Sequence, residues 1–255
     1  MPLTIAVAGK GGTGKTTFCG MLVRNLADNK KGHILAVDAD PNSNLNEVLG
    51  IKAPISLGEI REGMLDKSGG ETAPAAGMTK QDYMQFMFGD ALFEGDEFDL
   101  LVMGRTQGAG CYCYVNGVLR TQIDRYSGNY SYIIVDNEAG LEHISRGTLP
   151  RIDILLLISD CSRRGIQAAG RVAQMAGELK LNPKVMKLIV NRAPDGKLGE
   201  GVIEEIEKQK LDMLGVLPND ETVYRYDSDG MPSSKVPEDN PVKNTMKGIV
   251  EALGI

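Results

Sequence analysis

The chain has 255 residues, 42% hydrophobic and 24% charged, enough to fill the core of one large α/β domain over residues 1–255, with nothing to suggest a second. Its 28 basic and 34 acidic residues leave a formal charge of −6, which argues against a non-specific nucleic-acid surface as partner. No apolar run is long enough to span a bilayer and the first residues enter a strand pattern, so the expected setting is cytoplasmic, with the four cysteines kept as thiols or metal ligands.

The first predicted strand, Leu3–Ala8, runs into Gly9-Lys10-Gly11-Gly12-Thr13-Gly14-Lys15-Thr16-Thr17. The glycines let successive backbone N–H groups turn inward around a polyanion, and a helix predicted over Lys15–Asn29 aims its positive end at the same place. The spacing G-x-x-x-x-G-K-T is met in full, so Lys15 is placed to reach the β- and γ-phosphates and the Thr16 hydroxyl to ligate Mg²⁺. Gly11, Gly12, Thr13, Gly14 and Thr17 complete the expected nucleotide cradle. The run K-G-G-T-G-K-T-T resembles the deviant phosphate loop of the MinD/ParA/nitrogenase iron protein class of P-loop ATPases. That resemblance implies ATP hydrolysis to ADP with Mg²⁺, and a homodimer in which Lys10 crosses a two-fold interface to the partner's nucleotide. Taken alone, Lys10 also reads as a surface lysine.

A second predicted strand, His33–Val37, precedes Asp38-Ala39-Asp40-Pro41-Asn42. Two carboxylates on one side of an extended segment, facing a phosphate loop, suit Mg²⁺ and an attacking water. The resemblance makes this the first switch segment, with Asp40 orienting the water and Asp38 a second-shell magnesium partner; a turn-forming D-x-D-P is the plain alternative. Residues Ser68–Thr79, rich in Gly, Ala, Pro and Thr, read as a surface loop. A third strand is predicted over Asp99–Met103.

Next come Gly108-Ala109-Gly110-Cys111-Tyr112-Cys113-Tyr114. In an extended segment two cysteines one residue apart project to the same side, their Cα atoms roughly 6.5–7 Å apart, so both thiolates reach one metal ion. Two ligands half-fill a tetrahedral site, and a second copy of the pair across a two-fold axis would complete four sulfurs. Soft thiolates suit Zn, Cu(I), iron–sulfur clusters and Ni; the alternative is a pair of buried thiols. Cys19 reads as core, Cys161 as ambiguous, and His33 and His143 as too isolated to be ligands.

After a helix predicted over Val115–Tyr126, the strand Tyr132–Val135 closes on Asp136-Asn137-Glu138-Ala139-Gly140. An apolar strand ending in Asp is what magnesium coordination through water requires, and the family pattern D-x-x-x-G implies a second switch with the Gly140 amide sensing the γ-phosphate. Strands follow over Ile154–Ile158, Val185–Val190 and Met213–Leu217, with helices over Gly165–Leu179, Glu200–Lys210 and Pro241–Leu253. By resemblance Asn191 and Pro218 contact the adenine, although Asn191 also reads as a turn cap. The alternation predicts a single-domain α/β fold: a mostly parallel sheet of about seven or eight strands with helices on both faces.

The stretch from Met103-Gly104-Arg105 through Cys111-Tyr112-Cys113, together with Asp136 to His143, resembles the CooC-type ATPases that mature carbon monoxide dehydrogenase, and equally the AcsF type that serves acetyl-CoA synthase. That family implies a metallochaperone: an ATP-dependent homodimer delivering nickel to an apo-enzyme, with Ni²⁺ or Zn²⁺ held by Cys111 and Cys113 of both subunits. The rivals are a MinD- or ParA-like spatial organiser and an iron-protein-like reductase. The stripe Val242, Met246, Ile249, Val250 and Leu253 in the last helix reads as core packing rather than a membrane anchor, so neither membrane nor nucleic acid is an expected partner.

Overall fold

The structure, a computed structural model, describes residues 1–42, 44–65, 79–105, 113–139, 141 and 151–255. These form one eight-stranded sheet in the order β3-β4-β2-β5-β1-β6-β7-β8. The strands are β1 (Leu3–Gly9), β2 (Ile34–Asp38), β3 (Leu92–Phe93), β4 (Phe98–Val102), β5 (Tyr132–Asp136), β6 (Ile154–Asp160), β7 (Val185–Ala193) and β8 (Met213–Pro218). Every pairing is parallel except that of β3 with β4. The helices are α1 (Lys15–Asp28), α2 (Leu45–Leu49), α3 (Leu57–Leu65), α4 (Lys80–Ala91), α5 (Cys113–Tyr126), α6 (Arg163–Glu178), α7 (Glu200–Lys208), α8 (Glu221–Ser228) and α9 (Pro241–Leu253).

The two-residue period of a strand divides the core in two. Ala6, Ala8, Leu35, Val37, Ile133, Val135, Leu155 and Leu157 face one way, toward side chains of α3 to α7. Ile5, Val7, Ile34, Ala36, Ile134, Leu156 and Ile158 face the other, toward α1, α2 and α9. Helices therefore cover both faces, as the alternation of elements predicts.

All seven predicted strands are present, with ends displaced by up to three residues. Five elements were not anticipated: α2, α3, α4, α8 and β3. Two of these helices open on capping boxes. Ser56 Oγ and Glu59 bond reciprocally before the first turn of α3, and Thr79 Oγ1 accepts from Asp82 N at 3.1 Å at the start of α4. Thr79 is thus a helix cap rather than the end of a loop, while residues 68–78 lie outside the described residues. α5 begins at Cys113, two residues before the predicted Val115.

Cys19 is fully buried in the α1 core. His33 Nε2 lies 3.0 Å from Asp99 Oδ1 and its ring stacks on Tyr130, whose hydroxyl donates to Asp99 Oδ2 at 2.7 Å. This cluster ties down the end of the sheet where β2, β4 and β5 begin, away from the phosphate loop. Met246, Ile249, Val250 and Val242 of α9 are buried, so the apolar stripe of that helix packs inward as expected.

Candidate nucleotide site

A parallel sheet brings the carboxyl ends of its strands to one end, and the predicted residues gather there. Gly9, the last residue of β1, passes so close to β6 that a Cβ would stand 2.2 Å from the Ile158 carbonyl oxygen. The loop beyond is held by its own bonds: Thr13 Oγ1 donates to the Lys10 carbonyl at 2.9 Å, and Lys15 Nζ lies 3.4 Å from the same oxygen. Gly14 caps α1 at φ +88° with no side-chain acceptor on the first-turn amides. α4, α6, α8 and α9 each have a capping side chain; α1, like α2 and α7, has none, and its N-terminus follows the glycine-rich loop, the arrangement that binds phosphate.

From the far side, Asn191 at the end of β7 donates through Nδ2 to the Thr13 carbonyl at 2.9 Å. Arg192, in the left-handed region at φ +57°, donates to the Gly12 carbonyl at 3.2 Å. The pair braces the phosphate loop, and Asn191 also lines a cavity of about 390 Å³ with Thr17, Phe18, Met21, Pro218, Asp220 and Tyr224. Both residues assigned to the adenine by resemblance therefore border the same cavity.

An adjoining cavity of about 530 Å³ is bordered by Gly11, Gly12, Gly14, Lys15 and Thr16 and by Asp40, Asn42, Arg105, Glu138 and Ala139. Arg192 and Asp227 border both cavities. Together they have the layout of a base pocket joined to a phosphate pocket. Lys10 is exposed at the start of the loop.

Beneath the phosphate cavity lie two buried carboxylates. The parallel register sets Asp38 of β2 directly beside Asp136 of β5, and the two are 0% and 1% exposed. Asp38 uses both oxygens on backbone: Oδ1 accepts from Asp40 N at 3.1 Å and Oδ2 from Leu45 N at 2.9 Å. Burial, then the Asp136 charge, pushes its carboxyl up to about 7 despite those bonds. These bonds hold the Asp38–Leu45 turn in place beside Asp136.

Asp136 differs. The Thr16 hydroxyl, the Lys15 ammonium and the Cys19 thiol stand near it and offset part of the penalty, yet burial pushes it up to about 6. Neither of its oxygens completes a hydrogen bond among the described residues. A buried carboxylate whose oxygens are left without a completed hydrogen bond, next to a threonine hydroxyl and a second carboxylate, has the donor set of a divalent oxygen-seeking cation. The same carboxylates, after burial itself, hold the Cys19 thiol far toward its protonated form, which makes Cys19 an inert core residue.

Asp40 Oδ1 accepts from Asn42 N at 2.8 Å and Asn42 Nδ2 at 3.0 Å, and Arg105 donates to Asn42 Oδ1. Asn42, Arg105 and Asp227 also line the phosphate cavity; no spacing rule marks any of the three, because the fold alone brings them there. Cys111 and Gly140 lie outside the described residues, as does His143. Cys113 is described as the first residue of α5, on the chain leaving the ligand end of β4. Among the described residues no cluster of three metal-ligating side chains occurs, and no helix is long and apolar enough to cross a membrane.

The CobQ/CobB/MinD/ParA nucleotide binding domain matches residues 4–233. An uncharacterized ATP-binding protein of Methanocaldococcus jannaschii is 40% identical over 252 residues, 98% of each chain. The carbon monoxide dehydrogenase accessory protein CooC of Rhodospirillum rubrum is 29% identical over 240 residues, 90% of this chain and 88% of that one. Among solved structures, the MinD cell division protein of Aquifex aeolicus superposes with a TM-score of 0.69 at 21% identity, covering 100% of this chain and 97% of that one, a likeness of fold. The chain belongs to the CobQ/CobB/MinD/ParA nucleotide-binding family and is a P-loop ATPase.

Proposed function

We propose that the chain is an ATP-hydrolysing metallochaperone, a nucleotide- and metal-dependent homodimer that delivers nickel to an enzyme of the carbon monoxide dehydrogenase/acetyl-CoA synthase system. The observation that carries this reading is the Cys111-x-Cys113 pair in a chain 29% identical to CooC over nearly its whole length. Cys113 opens α5, the helix that follows β4 from the sheet end carrying the phosphate loop, so a subunit contact there would join nucleotide and metal. Two thiolates from each subunit would hold Ni²⁺ or Zn²⁺, the cargo, in a four-sulfur site.

In this reading α1's free amides and Lys15 bind the phosphates of ATP, Gly140 senses the last of them, and Lys10 reaches the partner subunit's nucleotide. Asn191 and Pro218 border the adenine. Thr16 and Asp136 hold Mg²⁺, which supplies charge neutralisation for phosphoryl transfer. Asp40 orients the attacking water, its carboxylate set by Asn42.

Septum site-determining MinD of Thermotoga maritima is 23% identical over 236 residues, and that similarity supports a second reading, a spatial organiser. The buried apolar face of α9 weighs against a membrane-binding form of it that uses this helix. The deciding measurement is metal content by mass spectrometry with ATP, with ADP and without nucleotide. Wild type is expected to hold one Ni²⁺ or Zn²⁺ per two chains and Cys111→Ala/Cys113→Ala none. Full metal retention by the double variant would overturn the metallochaperone reading.

A further inference from the structure

Arg105 follows β4 on a backbone fixed by close packing. Met103 N donates to the Asp38 carbonyl and Gly58 N to the Met103 carbonyl, both at 2.9 Å. Gly104 is left-handed at φ +65° and a Cβ there would stand 2.3 Å from Ser56 Oγ; a Cβ on Gly58 would stand 2.2 Å from the Arg105 carbonyl oxygen. Bulkier residues at these positions would displace the base of the side chain. The exposed side chain borders the phosphate cavity, which Lys15 and Thr16 also line.

There its guanidinium donates to an uncharged acceptor, Asn42 Oδ1. Among the described residues no carboxylate forms an ion pair with it. Arg192 at the same cavity is committed to the Gly12 carbonyl and to the junction with the base cavity. Arg105 instead borders the phosphate cavity and not the base cavity, together with Asp40 and Asn42. A guanidinium resting on a neutral amide exchanges that contact readily for phosphate oxygens, to which it can offer two parallel N–H groups.

We infer that Arg105 is a ligand for the terminal phosphate of a nucleoside triphosphate, leaving Asn42 when that phosphate is present and returning to it when only a diphosphate remains. The exchange also changes the hold on Asp40, because the Asn42 that Arg105 grips is the residue that donates twice to the Asp40 carboxylate. Arg105 thereby distinguishes ATP from ADP and reports the difference to the switch turn. This rests on the ATPase assignment and is independent of nickel delivery.

The test is calorimetric binding of Mg²⁺ with ADP and with a non-hydrolysable ATP analogue to wild type, R105Q, R105K and N42A. R105Q is expected to lose affinity for the triphosphate by about tenfold or more while ADP binding stays within about twofold, with R105K intermediate. N42A, which releases the guanidinium, is expected to bind the triphosphate at least as tightly as wild type. Equal losses for both nucleotides in R105Q, no loss for either, or an N42A variant that reproduces the R105Q defect would overturn the assignment and leave Arg105 a clamp on the turn. Should R105Q fail to fold, R105K decides alike: a loss confined to the triphosphate supports the inference and an equal loss refutes it. These readings need no metal at Cys111 and Cys113, so failure of the nickel reading would not be mistaken for failure of this one.

Discussion

Replacing Asp136 by Asn should make the metal-free protein more stable while making it useless as a magnesium-dependent ATPase. The carboxyl is 1% exposed and burial holds it at about 6 against an ordinary 3.8. A group whose folded value lies above its unfolded one binds its proton more tightly when folded, so ionising it opposes folding. At about 1.4 kcal/mol for each tenfold change in proton affinity, that rise costs the folded state about 3 kcal/mol above pH 6. The cost falls to roughly half at pH 5 and vanishes below about pH 4. Asp38, raised in second place by the Asp136 charge, ionises more easily in the variant and adds to the gain. The assay is thermal unfolding without metal or nucleotide: D136N should melt about 6–12 °C above wild type at pH 8 and by a smaller margin at pH 5. Adding Mg²⁺ and ATP should raise the wild-type midpoint and leave that of D136N nearly unchanged. A variant that is less stable at pH 8, or that gains equally at both pH values, would refute the claim that burial leaves the Asp136 charge only partly compensated.

Asn191→Ala removes the brace on Thr13 from β7 and should weaken ATP and ADP binding alike, by roughly fivefold to tenfold for one lost, partly buried hydrogen bond, as read by calorimetry. Lys15→Ala should abolish nucleotide binding, and Asp40→Ala should bind ATP normally yet hydrolyse it about 100-fold more slowly in single turnover. Tyr130→Phe removes the 2.7 Å bond to Asp99 at the opposite end of the sheet. It should cost about 1–2 kcal/mol of stability by denaturant titration and leave the ATPase rate unaltered.

The fold was legible where local rules suffice. Apolar runs such as Ile133-Ile134-Val135 and Leu155-Leu156-Leu157 mark strands buried on both faces, and the loop from Gly9 to Thr17 marks its own place between strand and helix. The five unanticipated elements are short or weakly patterned: α2 has five residues and β3 two. The Ser56-x-x-Glu59 and Thr79-x-x-Asp82 boxes carried a signal for α3 and α4 that apolar periodicity alone did not reveal. At the site, the residue types of the phosphate loop and of Asp136 announce their chemistry. Asp38 does not: its two backbone acceptor bonds depend on a turn that exists only once β2 and α2 are folded. Arg105 and Asp227 reach the cavity through strand order, which no spacing in the sequence encodes.

The Lys10-to-Gly14 backbone is tied by Thr13, Lys15, Asn191 and Arg192 through bonds within the chain itself. A cradle held by its own chain loses little conformational freedom when it fills, whereas Asp40, Asn42 and Arg105 are joined by side-chain contacts that a phosphate can exchange. One flank of the cavity then supplies affinity common to every adenine nucleotide. The other flank alone is free to tell them apart, so substitutions on the two flanks should separate tightness from discrimination.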